Sequence, residues 1–198
     1  VAHSLSVGGL ESKRDKLTRK VCIVLRVTDK GVFVLLAPGF EETDVFTVTR
    51  TLRRTGVPVA VVGLTANPVP GAYGLSLAPD WALSEVEAER PQAVVLPGAI
   101  QAARKLNADP RVHVFLRRVA DGGGYVVAFD TAYAVLRSAG LLSHGESSRE
   151  GRVTKPIPAR YGEGLPLERV LVEGRVIWGR DSGAAQEAAL TLVSLMES

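Results

Sequence analysis

The sequence predicts an α/β fold, a sandwich with a mainly parallel central sheet and helices on both faces. Three observations predict it. Short β-branched apolar runs alternate with segments of helical period, and that alternation needs crossover connections and so parallel pairing. The apolar runs are continuous rather than alternating, as strands covered on both faces must be. Finally, 198 residues with 46% hydrophobic content are enough for one core and short for two.

The elements follow in order. Residues 1–19 are polar, contain Gly8-Gly9 and hold no sustained period, so they read as a flexible basic tail before a single domain at 20–198. Residues 21–27 are β-branched and read as an additional strand; the run is too short, and too broken by Arg26, for a signal-peptide core. Asp29-Lys30-Gly31 turns the chain into a buried strand at 32–37, which Pro38-Gly39 ends. Residues 43–55 carry Val45, Val48 and Leu52 at helical spacing, with Arg53 and Arg54 in the last turn and Gly56 as the stop. A strand at 57–64 follows, then turns at Asn67-Pro68 and Pro70-Gly71, then a short strand at 75–78 for an edge or a hairpin.

Residues 93–96 form another buried strand, closed by Pro97-Gly98, and 99–106 a helix. Asp109-Pro110 supplies an N-cap and a proline at the first helical position for a helix to about residue 120, ended by three glycines. The strand 125–129 passes almost directly into a helix at 131–139. Residues 143–164, rich in Gly, Ser, Pro and charge, read as loop. Glu173-Gly174 joins two short strands as a two-residue hairpin turn, and 184–196 is a closing amphipathic helix.

Charge and composition remove several function classes. The formal charge is +3, and residues 1–20 alone hold five basic against two acidic side chains, so the remainder is balanced. A balanced body gives no support to nucleic-acid binding. No apolar run approaches the ~20 residues of a membrane span. Cys22 is the one cysteine, which excludes an intrachain disulfide and fits a reducing cytoplasm. The three histidines, His3, His113 and His144, are scattered, so no metal site is expected, and no cofactor motif is present.

Ligands in such sheets sit beyond the carboxyl ends of the strands. Three junctions therefore matter. In Val127-Ala128-Phe129-Asp130-Thr131-Ala132 a strand becomes a helix with almost no loop, and Ala128 and Ala132 supply the small neighbours that so sharp a turn needs. This is the layout of a nucleophile elbow with Asp130 at its tip; equally, Asp130 reads as a plain N-cap. Leu96-Pro97-Gly98-Ala99 is either a strand-terminating turn or a source of amides for the same cleft. Glu41, Glu42 and Asp44 stand at a helix start, where the helix dipole favours acids whatever their further role.

Several separated segments carry a resemblance. Leu35-Leu36-Ala37-Pro38-Gly39-Phe40-Glu41-Glu42-Thr43-Asp44 with Leu52-Arg53-Arg54-Thr55-Gly56 resembles the opening of the ThiJ/PfpI family. Ala78-Pro79-Asp80, Val94-Val95-Leu96-Pro97-Gly98, the elbow and Gly179-Arg180-Asp181-Ser182-Gly183 follow in the family's order over roughly residues 31–197. The resemblance implies a flavodoxin-like three-layer sandwich, of the class I glutamine amidotransferase-like kind, that forms a homodimer. It implies a reactive centre in which a cysteine at the elbow meets an acid from the first junction, with two amides as an oxyanion site. Position by position, Asp44 matches the acid, the amides of Ala99 and Thr131 match the donors, and Asp130 stands at the cysteine. Gly98, Tyr73 and Glu150 are further pocket candidates, Glu150 lying near the family's usual histidine position and Tyr73 in a turn near a partner subunit's pocket.

Cys22 lies outside the matched segments, so cysteine-dependent glyoxalase, deglycase or protease chemistry is not expected. Two carboxylates in hydrogen-bond contact cannot both ionise cheaply, and the helix start behind Asp130 favours its anion, which makes Asp44 the proton holder. Three functions follow: a non-catalytic protein that binds or senses a small polar ligand, a hydratase or hydrolase using the carboxylates as acid and base, or a structural dimer with a vestigial site. Asp130→Asn separates them.

Overall fold

The computed structural model describes residues 31–142 and 169–198. Strand β1 (Val32–Leu36) is wholly buried, and helix α1 (Glu42–Arg54) follows it. Glu41 caps α1 by accepting the Thr43 N–H at 3.3 Å, and Val45, Val48 and Leu52 form its buried stripe. Strand β2 (Val59–Gly63), the hairpin strands β3 (Val69–Pro70) and β4 (Ser76–Leu77), strand β5 (Trp81–Ala82) and the single turn α2 (Leu83–Val86) come next. Strand β6 (Ala93–Leu96) leads into α3 (Ile100–Ala108) and α4 (Pro110–Asp121), and the Asp109 carboxylate accepts the Arg111 N–H at the start of α4. Strand β7 (Tyr125–Phe129) passes through a 3-10 turn at Asp130–Ala132 into α5 (Tyr133–Ser138). The chain closes with β8 (Val170–Glu173), β9 (Val176–Gly179), a second 3-10 turn at Ser182–Ala184 and α6 (Ala185–Met196).

The seven-stranded sheet runs β5-β2-β1-β6-β7-β9-β8, parallel throughout except where β8 pairs antiparallel with β9. Helices α1 and α6 pack together on one face, and α3, α4 and α5 pack on the other, which makes the expected three-layer α/β sandwich. Phe33 and Phe115 stack at 6.3 Å between the sheet and α4. The chain leaves β1 for β2 on one side and returns to β6 on the other, so the order reverses between β1 and β6. That reversal opens a crevice beyond their carboxyl ends.

Several expectations need adjustment. The short strand expected at 75–78, for an edge or a hairpin, is the hairpin strand β4, shorter than expected at Ser76–Leu77 and paired antiparallel with β3 in its own two-stranded sheet. The helix expected from residue 131 begins as a 3-10 turn, because Asp130 and its followers bend too tightly for an immediate α-helix. The pieces β5 and α2 were not expected; β5 pairs Trp81 and Ala82 with Val62 and Gly63 at the sheet edge, and the Ala82 N–H donates to Glu85 Oε2 at 2.8 Å at the start of α2. The expected tail, the strand at 21–27 and the loop at 143–164 lie outside the described residues.

Candidate functional site

The three junctions converge at the switch point. From the start of α1, Asp44 turns inward and is only 1% exposed. Its Oδ2 accepts the Gly98 N–H at 2.7 Å, while Oδ1 is buried without a hydrogen-bond partner among the described residues. Gly98 separates the two candidate acids. A Cβ at that position would stand 3.0 Å from Asp44 Oδ2 and 3.3 Å from Asp130 Cβ, so the site leaves no room for a side chain there.

Two backbone conformations define the rim. Ala99 has φ +79° and Asp130 φ +47°, and they are the non-glycine residues with positive φ among the described residues. Such conformations cost about 1–3 kcal/mol each and persist only where the surroundings enforce them. Both fall at this one place, one on each strand-to-helix turn. At Asp130 the strain is that of an elbow tip: β7 ends and the turn begins with no loop. The Trp178 indole N–H, from β9, approaches the Asp130 carbonyl at 3.4 Å.

Electrostatics distinguish the two carboxyls. Burial lifts Asp44 from the ordinary 3.8 to about 6, against the pull of the Gly98 amide and of the Ser182 hydroxyl nearby; Glu41 and Asp130 add smaller repulsions. Burial also lifts Asp130 above the ordinary carboxylate range, opposed by the amide and hydroxyl of Thr131 and helped by the charge of Asp181. The Thr131 hydroxyl oxygen is itself buried and makes no hydrogen bond among the described residues.

Beside Asp130 opens a cavity of about 360 Å³. Ile100, Ala103, Tyr133 and Trp178 form an apolar wall, and Tyr133 and Trp178 meet edge to face at 5.6 Å. Burial raises the Tyr133 phenol above its usual range. The cavity also exposes Asp130, Thr131 and the side chains of Arg104, Arg137 and Arg180.

The structure brings Asp44, Gly98, Ala99, Asp130 and Thr131 together, with two differences from expectation. The carboxylates of Asp44 and Asp130 do not hydrogen-bond to each other; Gly98 stands between them, and the Gly98 amide satisfies Asp44. Asp130 is not held as a stabilised anion by its helix start, because a three-residue turn offers little dipole and burial outweighs the Thr131 amide. Tyr73 stands apart from the cavity and is 79% exposed. It sits on the β3–β4 loop, whose Tyr73 and Leu75 amides donate to the buried Glu42 Oε1 at 2.8 and 3.4 Å. Glu150, His144 and Cys22 lie outside the described residues. His113 is on α4, with Nε2 at 3.2 Å from Asn107 Oδ1, and no group of metal-ligating side chains occurs among the described residues.

Ser182 and Asp181 were missed as site residues. Their only sequence signal was the closing Gly-Arg-Asp-Ser-Gly motif, and the turn after β9 is what carries them toward Asp44 and Asp130. The arginines were missed because they sit on separate elements, and only tertiary packing directs them into one cavity.

Known proteins are similar to this chain in sequence and fold. A family model described as the DJ-1/PfpI family matches residues 30–195. Protein dj-1beta of Drosophila melanogaster is 31% identical over 164 residues, covering 82% of this chain and 87% of its own. The Parkinson disease protein 7 homolog of Danio rerio is 30% identical over 171 residues, covering 83% and 88%. A glutathione-independent glyoxalase from Caenorhabditis elegans is 28% identical over 172 residues, covering 85% and 89%. The crystal structure of Drosophila melanogaster DJ-1beta superposes with a TM-score of 0.73 at 28% identity, covering 84% of this chain and 90% of the other. A mutant DJ-1 superfamily protein from Salmonella typhimurium superposes with a TM-score of 0.71 at 29% identity, covering 85% and 91%.

Proposed function

Since the chain belongs to the DJ-1/PfpI family, we propose that it is a small-molecule-binding member in which the Asp130 carboxylate takes the elbow position of the reactive cysteine. The observation that carries this reading is the strained tip: Asp130, at φ +47°, follows β7 directly and lines a cavity about 360 Å³ in volume. The chain's one cysteine, Cys22, precedes the matched residues 30–195, so it stands outside the elbow. With a carboxylate there, the glyoxalase activity named for the nematode relative would have no thiolate nucleophile at this tip. A carboxylate beside the Thr131 amide instead offers a fixed hydrogen-bond acceptor to a polar ligand.

A thermal-shift screen of small polar compounds against wild type and Asp130→Asn tests this. The reading expects compounds that stabilise wild type and lose that effect in Asp130→Asn. Equal stabilisation of both proteins would refute it. In the same experiment, Asp130→Cys gaining glyoxalase-like turnover would support an otherwise intact family pocket.

One observation favours a second reading, a hydratase or hydrolase. An acid lifted to about 6, such as Asp44, is poised to exchange a proton near neutral pH, with Asp130 across Gly98 as its partner. Turnover that disappears in both Asp44→Asn and Asp130→Asn would establish it. As in the family, pairing into a homodimer is part of the proposal. Phe46 on α1 and Tyr73 and Leu75 on the loop tied to Glu42 are exposed apolar groups that such pairing would cover. Sedimentation velocity of wild type and Phe46→Asp tests it; an unchanged monomer in both would contradict it.

A further inference from the structure

The cavity beside Asp130 has a charge pattern that small polar ligands in general do not require. Arg104 enters it from α3, Arg137 from α5 and Arg180 from the turn after β9. Arg180 Nε is 3.3 Å from Asp181 Oδ2, so part of its charge is already met. Arg104 and Arg137 are exposed and make no hydrogen bond or ion pair with any described residue. Two uncommitted guanidinium groups opening on one cavity repel each other, and an anion between them removes that repulsion.

The rest of the lining limits which anion fits. Arg104, Arg137 and Arg180 share the cavity with Asp130, with Asp181 beside Arg180 and the Glu173 carboxylate acting on Tyr133, so the positive charge is largely offset, which suits a monoanion better than a phosphate ester at −1.5 to −2. The wall of Ile100, Ala103 and the Tyr133–Trp178 edge-to-face pair is apolar and offers aromatic surface. A volume of about 360 Å³ is at the small end of ligand pockets, enough for a single-ring body. The half-buried Asp130 lines the same cavity and offers its carboxylate oxygens as acceptors for a hydroxyl.

We infer that the site binds a hydroxylated single-ring carboxylate: the carboxylate between Arg104 and Arg137, the ring against Tyr133 and Trp178, and the hydroxyl on Asp130. A planar carboxylate matches the guanidinium fork, and stacking on aromatic side chains holds the ring. The inference rests on the proposed role of Asp130 as the ligand-facing acceptor, and adds the ligand's class and the residues that select it.

Isothermal titration of the full chain with 4-hydroxyphenylacetate, its uncharged amide, acetate and inorganic phosphate tests the inference. The acid binds at least about tenfold tighter than the amide, as loss of a charge-assisted bond implies. Arg104→Gln and Arg137→Gln, both at exposed positions, each weaken the acid about tenfold and leave the amide unchanged. Phosphate competes no better than acetate. Equal binding of acid and amide, absence of binding by the acid, arginine variants that bind it as wild type does, or phosphate displacing it at equal concentration would each overturn the inference. The two readings fail separately. If Asp130→Asn abolishes the ligand responses of the compound screen while acid and amide bind alike, the carboxylate class falls and the role of Asp130 stands. If the arginine variants lose the acid while Asp130→Asn keeps it at full affinity, Asp130 is not the acceptor.

Discussion

Replacing Asp44 with Asn should make the protein more stable above neutral pH and leave it unchanged in acid. Asp44 is buried, and its carboxyl is lifted from the ordinary 3.8 to about 6. Between those two values the folded protein keeps a proton that the unfolded chain has lost. Stability therefore falls as pH rises through that window and levels off above about 6. At about 1.4 kcal/mol per pH unit, the span from 3.8 to about 6 amounts to about 3 kcal/mol. Asparagine stays neutral at every pH, and its side-chain oxygen can accept the Gly98 N–H that Oδ2 accepts now. Its amide nitrogen meets the space at Oδ1, which lacks a partner and has Ser182 nearby. At pH 8 Asp44→Asn should therefore gain up to about 3 kcal/mol, or about 6–12 °C in melting temperature for a domain of this size. At pH 4 the gain should vanish. Thermal unfolding followed by circular dichroism at pH 4, 6 and 8 measures it. A difference between variant and wild type that does not change with pH would refute the reasoning, because burial of the charge could not then be what lifts Asp44.

Two further substitutions test the geometry. Ala99→Gly removes the penalty of φ +79° and should stabilise the fold by about 1 kcal/mol in urea unfolding, since that conformation is natural to glycine and strained for alanine. Gly71→Ala should destabilise by about 1–3 kcal/mol, because its Cβ would drive into Glu42 Oε1 and break the bonds to the Tyr73 and Leu75 amides; hydrogen exchange at those two amides should accelerate.

Much of the fold was legible because its signals are local. Strands β6 and β7 fall where continuous apolar runs put them, Asp109-Pro110 starts α4, and Gly174, at φ +56°, turns the β8–β9 hairpin. The placement of Asp44 and Asp130 beyond the carboxyl ends of β1 and β7, on either side of β6, also follows from the order of elements and the switch-point rule. The remainder depends on tertiary geometry. Ala99 gave no sign of a positive φ, because alanine is not the residue that normally marks one. Gly98 read as a turn residue, whereas its lack of a side chain is what lets two acids approach from either side. A direct Asp44–Asp130 hydrogen bond was expected because matching two positions leaves out the backbone amide that lies between them. Arg104 and Arg137 looked like ordinary helix surface, and only the packing of α3 near α5 turns them toward one cavity.

Carbon-13 NMR titration of the aspartate carboxyl groups, with Asp44→Asn and Asp130→Asn supplying the assignments, reaches the centre of the account. Asp44 should titrate near 6 and Asp130 above the ordinary carboxylate range, with the Asp44 midpoint falling when Asp130 is neutralised. Midpoints near 3.8 for both groups, each indifferent to the other, would contradict a site built from two desolvated carboxyls around the strained turn.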